Sequence, residues 1–235
     1  MGNEHTSKKF DAELEAVRAR VLQMGGLVEQ QINRAMEVLA TGDAKLADQV
    51  IADDHQVNAL EVGIDDDCTH IIARRQPTAS DLRMVMAVIK TITDLERIGD
   101  EAQKIARMAK KFHQGEARLT AKIADVRVAC NIALDMLRTS LDAFARLDVT
   151  GAAKVVRQDH EVDECFRSIL RQLVTFMMED PRTISSSLDI LFIAKAIERI
   201  GDHAKNMSEY VVYLVKGKDV RHITTAEFDK VTLEN

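Results

Sequence analysis

The pentapeptide ERIGD occurs twice, once from Glu96 to Asp100 and again from Glu198 to Asp202. On a helix, residues four apart lie on one face with about 5–6 Å between their Cβ atoms, so each copy would present a pair of carboxylates. Two carboxylates at that distance repel each other unless a cation, an arginine or protonation relieves the charge. Clustered hard oxygen ligands suit Mg²⁺, Mn²⁺, Ca²⁺ or iron, so the repeat predicts a pair of metal sites.

The same helical spacing occurs in polar residues upstream of each pentapeptide. The segments DDHQVN and QDHEVD resemble each other, and they place Asp54 and Asn58 in register with Asp159 and Asp163. Two helices in each half would therefore direct oxygen ligands toward one site. The first of these pairs ends in an amide, so it carries one negative charge fewer than its counterpart.

The two halves differ one turn beyond the pentapeptide. Asn206 follows Asp202 and adds an amide oxygen, whereas Lys104 stands at the equivalent position after Asp100. The second half therefore has the larger set of oxygen ligands. A solvated helix face explains any single acidic pair, but such a face has no reason to be copied at matched positions. The candidate metal ligands are Glu96, Asp100, Glu198, Asp202, Asp159, Asp163, Asp54, Asn58 and Asn206.

Helices must position these residues, because apolar side chains recur every three or four residues along most of the chain. The Glu and Asp of both pentapeptides project from nearly the opposite face of the helix to the apolar stripe, so their side chains are expected to face outward. One stripe opens the chain and another runs along the last long helix. Their members are Val17, Val21, Met24, Val28, Ile32, Ala35 and Leu39, and then Ile193, Ile197, Ile200, Ala204, Met207, Val211 and Leu214.

Breaks between the stripes divide the chain into two similar sets of three helices. Pro77 and Pro181 fall at matching positions before the third and the sixth helix. Asp43 is a predicted N-cap of the second helix, and Thr78 or Ser80 a predicted N-cap of the third. The predicted helices span about 10–40, 43–74, 79–113, 118–146, 149–178 and 183–216.

Long helices with short connections pack antiparallel. The expected fold is therefore all-α, with two pseudo-symmetric antiparallel three-helix bundles that arise from an internal duplication. The predicted domains are a first bundle at 8–114, a second bundle at 115–216 and a polar C-terminal tail at 217–235.

Composition and charge exclude several classes of function. The net charge is −6 and the basic residues are interspersed with acids, so nucleic acid is not an expected partner. No apolar run approaches the ~18 residues of a membrane span, and the N-terminus lacks the apolar core of a signal peptide. The three cysteines are widely spaced, which predicts buried reduced thiols in a cytoplasmic protein.

Four segments carry a family resemblance: the doubled ERIGD, MGGLVEQQ near the start, RRQPTASDLR before the third helix, and ERIGDHAKN near the end. Together they closely resemble the PhoU family of phosphate-transport accessory proteins, over essentially the whole chain from about residue 8 to 230. The resemblance implies metal clusters held by paired E(D)-x-x-x-D motifs. The positions that match the motif are Glu96/Asp100, Glu198/Asp202 and Asp159/Asp163. The pair that begins at Asp54 departs from it, because it ends in Asn58.

The resemblance also implies a regulatory role in the cytoplasm. Family members are negative regulators of the phosphate-starvation response, and they help to control phosphate uptake. They couple an ABC-type phosphate importer, at its cytoplasmic side, to the sensor histidine kinase of a two-component system. Homodimers are common, and contact with the membrane is through partners alone. The implied metals are Mg, Mn, Fe or Zn, and no enzymatic activity is expected.

Two other functions stay open at this stage. A carboxylate-bridged di-metal enzyme of the helical-bundle type would use Glu-x-x-His pairs that point into the bundle, and the sequence contains no Glu-x-x-His. A metal-free helical adaptor would use its acidic faces to bind a basic protein surface. Arg97 and Arg199 also have two interpretations, since each could hold an anion or pair with a neighbouring acid.

Overall fold

The computed structural model describes residues 2–115, 123–221 and 223–233, and every regular element within these ranges is helical. The helices are α1 (Gly2–Thr41), α2 (Ala44–Arg75), α3 (Ala79–Gln114), α4 (Ile123–Arg146), α5 (Val149–Glu179), α6 (Ile184–Lys216) and α7 (Thr225–Leu233), with a 3₁₀ turn at Pro181–Thr183. The prediction that the first helix begins near residue 10 was wrong, because α1 begins at Gly2. The predicted start of the fourth helix, at 118, lies outside the described residues.

An aspartate at a matched position caps the N-terminus of the middle helix in each bundle. Asp43 accepts hydrogen bonds from the backbone N–H groups of Lys45 and Leu46, which confirms the predicted cap. Asp148 accepts a hydrogen bond from a backbone N–H at the start of α5. Thr78 stands at the N-cap of α3, although its side chain makes no capping hydrogen bond. An aspartate cap is typically worth about 1 kcal/mol, so the caps help to fix where α2 and α5 start.

The helices form two three-helix bundles that meet along α3 and α6. α1, α2 and α3 pack against one another, as do α4, α5 and α6. Ion pairs join Asp94 to His203 and Lys111 to Asp189, so residue numbers rise along α3 as they fall along α6. These two central helices are therefore antiparallel. The predicted all-α fold, with two pseudo-symmetric bundles from one duplication, is confirmed.

The predicted apolar stripes form the core. Every member of the α1 stripe is at most 3% exposed, and the α6 stripe is buried along its length up to Leu214. Burying one such side chain is worth about 1.5–3 kcal/mol, so these stripes hold the helices together. The polar pairs lie on the flanks of the stripes, where a neighbouring helix buries some members, such as Asp54, and leaves others, such as Asn58, exposed.

The C-terminal tail folds back over the second bundle. α7 contacts α5 and α6, and Val220 and Phe228 are 2% and 3% exposed. These two apolar side chains anchor the tail. It therefore forms a wall beside the acidic residues of α5 and α6.

Candidate functional site

The first acidic site lies between α2 and α3. Its members are Asp54, Asn58, Glu61, Glu96 and Asp100. α3 supplies the Glu and Asp of the first pentapeptide one turn apart, and α2 supplies the other three residues. Burial raises the pKa of Glu96, and the carboxylates of Asp100, Glu61 and Asp54 raise it further. The fold therefore brings the two predicted pairs of the first half together and adds Glu61 to them.

Burial makes the first acidic site costly to ionise. Asp54 is only 6% exposed, and burial followed by the charge of Asp100 raises its pKa, against hydrogen bonds that lower it. Arg97 relieves part of the charge, since its guanidinium lies 3.5 Å from Glu96 and 3.5 Å from Asp100. One guanidinium at that distance leaves much of the repulsion in place, which is the condition that favours binding of a further cation.

A buried amide forms the floor of the first acidic site. Gln31 on α1 is 4% exposed, and its Nε2 donates to Asp54 Oδ1 at 3.3 Å. Its Oε1 is buried without a hydrogen-bond partner among the residues that the structure describes. Both oxygens lie beside Gly99, the glycine of the pentapeptide, where a Cβ would be 3.2 Å from Gln31 Oε1 and 3.4 Å from Asp54 Oδ1. The glycine thus keeps a small polar space open beneath the carboxylates.

The second acidic site lies between α5 and α6. Its members are Asp159, Asp163, Glu198 and Asp202. Burial raises the pKa of Asp202 to about 6, and the carboxylates of Glu198 and Asp159 add to that rise. The predicted pairs of the second half are therefore also brought together by the fold.

Basic side chains pair with the carboxylates of the second acidic site. The ion pairs are Lys205–Asp159 at 2.7 Å, Lys195–Glu198 at 2.6 Å and Arg167–Asp163 at 3.1 Å. Both carboxylate oxygens of Glu198 accept from the same ammonium group. Protein cations therefore occupy the neighbourhood that a metal ion would need in this bundle.

A cavity of about 730 Å³ opens over the second acidic site. Its floor includes Asp159 and Asp202, and the C-terminal tail supplies a wall that includes Arg221 and Phe228. Glu209 also lines the cavity, and burial raises its pKa to about 7 although Lys205 and Arg221 attract its charge. The space has room for a ligand, and its lining carries charges of both signs.

The expected outward orientation of the pentapeptide carboxylates was wrong for the two glutamates. The side chain of Glu96 is 18% exposed and that of Glu198 is 12% exposed, because α2 and α5 cover them. Arg97 and Arg199 both pair with acids, as one of their two interpretations proposed. Arg199 reaches across the bundle boundary to Glu101, at 2.7 Å.

Asn206 makes a contact with the first bundle that its spacing did not suggest. Its amide Nδ2 donates to Asp94 Oδ1 on α3 at 3.1 Å, although the residue also lines the cavity of the second bundle. His203 contacts the same carboxylate at 2.7 Å. Sequence reasoning missed this polar seam between the bundles. The signal was present, because Asp94 and Glu101 are seven residues apart and share a helix face with the apolar residues Ile98 and Ile105.

The donor chemistry of both sites fits hard cations, since it consists of carboxylate and amide oxygens. Within the described ranges, no three His, Cys, Asp or Glu side chains are arranged to hold a metal ion. The first acidic site adds the unpartnered oxygen of Gln31 to its carboxylates. Asp54, Glu96 and Asp100 would hold a metal ion there only after their carboxylates moved closer together, and the ion would then supply positive charge at the surface between α2 and α3.

The fold and the paired acidic sites define a class of protein, a duplicated three-helix bundle with one acidic site in each copy. The model of the PhoU domain family matches residues 21–109 and again residues 126–211. The chain belongs to the PhoU family.

Curated relatives match nearly the whole chain. The phosphate-specific transport system accessory protein PhoU of Edwardsiella tarda is 48% identical over 234 residues, which cover 99% of this chain and 95% of that protein. The protein of the same name from Escherichia coli K12 is 49% identical over 230 residues, 97% of this chain and 94% of its own length.

Solved structures agree with the fold. The crystal structure of PhoU from Pseudomonas aeruginosa has a TM-score of 0.83 at 47% identity, and the match covers 89% of this chain and 100% of that one. The phosphate transport system regulatory protein PhoU from Streptococcus pneumoniae has a TM-score of 0.82 at 28% identity, with 90% and 99% covered. In the part of the chain that the structure describes, no helix is long and apolar enough to cross a membrane.

Proposed function

We propose that this protein is a cytoplasmic negative regulator of the phosphate-starvation response. It couples an ABC-type phosphate importer to a sensor histidine kinase, and it helps to control phosphate uptake. The observation that carries the proposal is the whole-chain similarity, over both repeats, to proteins named as accessory to the phosphate-specific transport system. The name of the Streptococcus pneumoniae structure, a phosphate transport system regulatory protein, supports the regulatory part.

The positions of the acidic sites favour a regulator over a di-metal enzyme. An enzyme of that type holds its metals between carboxylates that point into the bundle interior. Here the carboxylates lie in grooves, between α2 and α3 and between α5 and α6, while the α1 and α6 stripes fill the interior with apolar side chains. Lys205 and Lys195 pair with two of the carboxylates at under 3 Å. Charged grooves at a surface suit docking to a partner better than they suit turnover.

Metal binding is the second part of the proposal. The acidic sites are the candidate positions for Mg, Mn, Fe or Zn ions, whose role would be to change the charge and shape of the docking grooves. Acting as a homodimer, the protein would present its grooves to the cytoplasmic side of the importer and to the kinase. A metal-free adaptor is the alternative, and the ion pairs of the second acidic site favour it for that bundle.

Deletion of the gene, with a reporter under a phosphate-responsive promoter, tests the regulatory part. The deletion strain should express the reporter in phosphate-rich medium, and a plasmid copy of the wild-type chain should silence it again. A reporter that stays silent in the deletion strain would overturn the proposed function. Deletion of the kinase in the same strain should restore silence, because the signal passes through it.

Crosslinking in cells tests the partners. A photo-crosslinking residue placed at exposed Arg107 or Arg171 should capture a cytoplasmic component of the importer or the kinase. Size-exclusion chromatography with light scattering measures the expected homodimer. Capture of neither membrane complex, at several exposed positions on each bundle, would contradict the coupling role.

A further inference from the structure

We propose that the two repeats have diverged, so that the first acidic site binds one divalent cation with Gln31 as an additional ligand, while protein ammonium groups fill the second. The inference rests on the metal-binding part of the proposed function and is independent of the regulatory part. The cation is of the hard, oxygen-seeking class, such as Mg²⁺ or Mn²⁺.

The glycines of the two pentapeptides, Gly99 and Gly201, lie against different side chains. A Cβ at Gly99 would meet Gln31 Oε1 at 3.2 Å and both Asp54 Oδ1 and Val57 Cγ1 at 3.4 Å. A Cβ at Gly201 would meet the methyl groups of Val162 at 3.6 Å and Met136 Cε at 3.7 Å. Met136 thus takes the place in the second bundle that Gln31 takes in the first. Val57 and Val162 are matched, so the difference between the two copies is that polar oxygens lie beside Gly99 where Met136 lies beside Gly201.

The unpartnered oxygen of Gln31 points to a missing ligand. A buried polar atom without a hydrogen bond costs about 1–3 kcal/mol, so such atoms are rare unless a ligand or water satisfies them. Gln31 is 4% exposed, its Nε2 already donates to Asp54, and its Oε1 has no partner within the described ranges. An amide oxygen is a good ligand for a hard cation, and it lies beside carboxylates that carry excess negative charge.

The bases of the second acidic site have neutral counterparts in the first. Lys205 pairs with Asp159, and the register of the two pentapeptides sets Lys205 against Gln103. Gln103 donates to the backbone oxygen of Ile51 instead, at 3.1 Å. In the same alignment of the two repeats, Lys195 corresponds to Thr93 and Arg167 corresponds to Val62.

Both acidic sites have the same number of carboxylates, so extra acids do not balance the bases of the second site. Phe166 in the second bundle stands where Glu61 stands in the first. Each site has four carboxylates, and the described residues place ion pairs from three bases in the second against one, from Arg97, in the first. The first acidic site therefore keeps the larger uncompensated negative charge, which attracts a divalent cation.

Isothermal titration of the full-length, chelator-treated chain with Mn²⁺, followed by Mg²⁺ competition, tests the proposal. We expect one high-affinity equivalent per chain. Gln31→Met gives the first bundle the residue type that Met136 has in the second, and it should weaken the Mn²⁺ affinity about tenfold or more. Gln30→Met is the matched control, because Gln30 is exposed on the same helix turn and should leave the affinity unchanged.

A variant of the second acidic site tests the proposal independently. The double variant Lys195→Thr/Lys205→Gln copies the neutral counterparts of the first bundle and should raise the number of bound Mn²⁺ ions from one to two per chain. Two equal high-affinity equivalents in the wild type, or an unchanged affinity in folded Gln31→Met, would overturn the divergence. No binding of either ion by the wild type would overturn the metal part of the proposed function as well, while the reporter assay would still decide the regulatory part.

Discussion

Asp94 in the first bundle accepts a hydrogen bond from His203 in the second, with 2.7 Å between Oδ1 and Nδ1. Asn206 donates to the same oxygen at 3.1 Å, so one buried carboxylate collects two donors across the α3–α6 boundary. The matched position in α6 is Ala196, which is fully buried and apolar. The polar contact is therefore asymmetric, and it favours one alignment of α3 against α6.

Asp94→Ala should destabilise the protein by about 3 kcal/mol. The substitution leaves the ring of His203 and the amide of Asn206 without their acceptor in a buried seam, and an unpaired buried polar group costs about 1–3 kcal/mol. Urea unfolding followed by circular dichroism measures the change. The control is Asp142→Ala on the exposed face of α4, which should stay within about 0.5 kcal/mol of the wild type. Equal effects of the two substitutions would refute the structural importance of the seam.

Adjacent glycines in α1 should respond oppositely to alanine. A Cβ at Gly26 would meet no atom of the described residues within 4 Å, so Gly26→Ala should stabilise the protein by about 1 kcal/mol through helix propensity. A Cβ at Gly25 would lie 2.6 Å from both terminal carbons of Leu141 on α4, so Gly25→Ala should be destabilising. Thermal unfolding of the two variants measures the contrast.

Removal of the obstructing side chain checks the cause. In a double-mutant cycle, Gly25→Ala should cost less in the Leu141→Ala background than in the wild type, because the clash has gone. An additive cycle would mean that Leu141 is not the obstacle.

The sequence predicts the helices and their buried faces well, because both depend on local periodicity. The α1 stripe from Val17 to Leu39 is buried as its spacing predicts. The Asp43 cap is likewise a local signal, since its acceptor contacts lie within the next three residues. Periodicity was less informative about how neighbouring helices cover the flanks, so the burial of Glu96 and Glu198 was missed.

The contents of the two acidic sites depend on packing that no local pattern encodes. In the sequence, Gln31 is an ordinary polar residue between Val28 and Ile32. The packing of α1, α2 and α3 brings its side chain beside Gly99. Lys205 likewise belongs to α6, yet its ammonium reaches Asp159 on α5. Long side chains cross between helices, so spacing along one helix cannot say which acid is already paired.

Glu209→Gln should make the protein more stable at high pH. Burial raises the pKa of Glu209 to about 7 in the folded chain, above its ordinary value of 4.5. A raised pKa means that the folded state keeps the proton longer, so its stabilising contribution is full below pH 4.5 and is lost as pH rises through 7. The variant lacks that loss and should gain about 1 kcal/mol over the wild type at pH 8, after allowance for solvent screening.

Urea unfolding of both proteins between pH 4.5 and 8 measures this gain. The difference in the free energy of unfolding should be smallest at pH 4.5 and should grow until about pH 7. The charged groups that act on Glu209 are Lys205, Arg221, Asp159 and Asp219. Glu37→Gln, at an exposed position of α1, is the control and should show no comparable trend. A pH-independent difference for Glu209→Gln would contradict the burial of that carboxyl group.

Gln31→Met should weaken repression in cells if the ion in the first acidic site shapes a docking groove. The substitution removes the amide oxygen beside Gly99 and the amide N–H that donates to Asp54 Oδ1, without adding or removing charge. An altered response therefore traces to the bound cation when the titrated Mn²⁺ affinity falls with it. In phosphate-rich medium, a strain that carries Gln31→Met should express the phosphate-responsive reporter at a level between those of the wild type and the deletion strain. Gln30→Met, with the same chemistry at an exposed position, should repress fully at equal protein abundance. Full repression by Gln31→Met, in a variant shown by titration to have lost Mn²⁺ affinity, would separate metal binding from signalling and assign the ion a structural role.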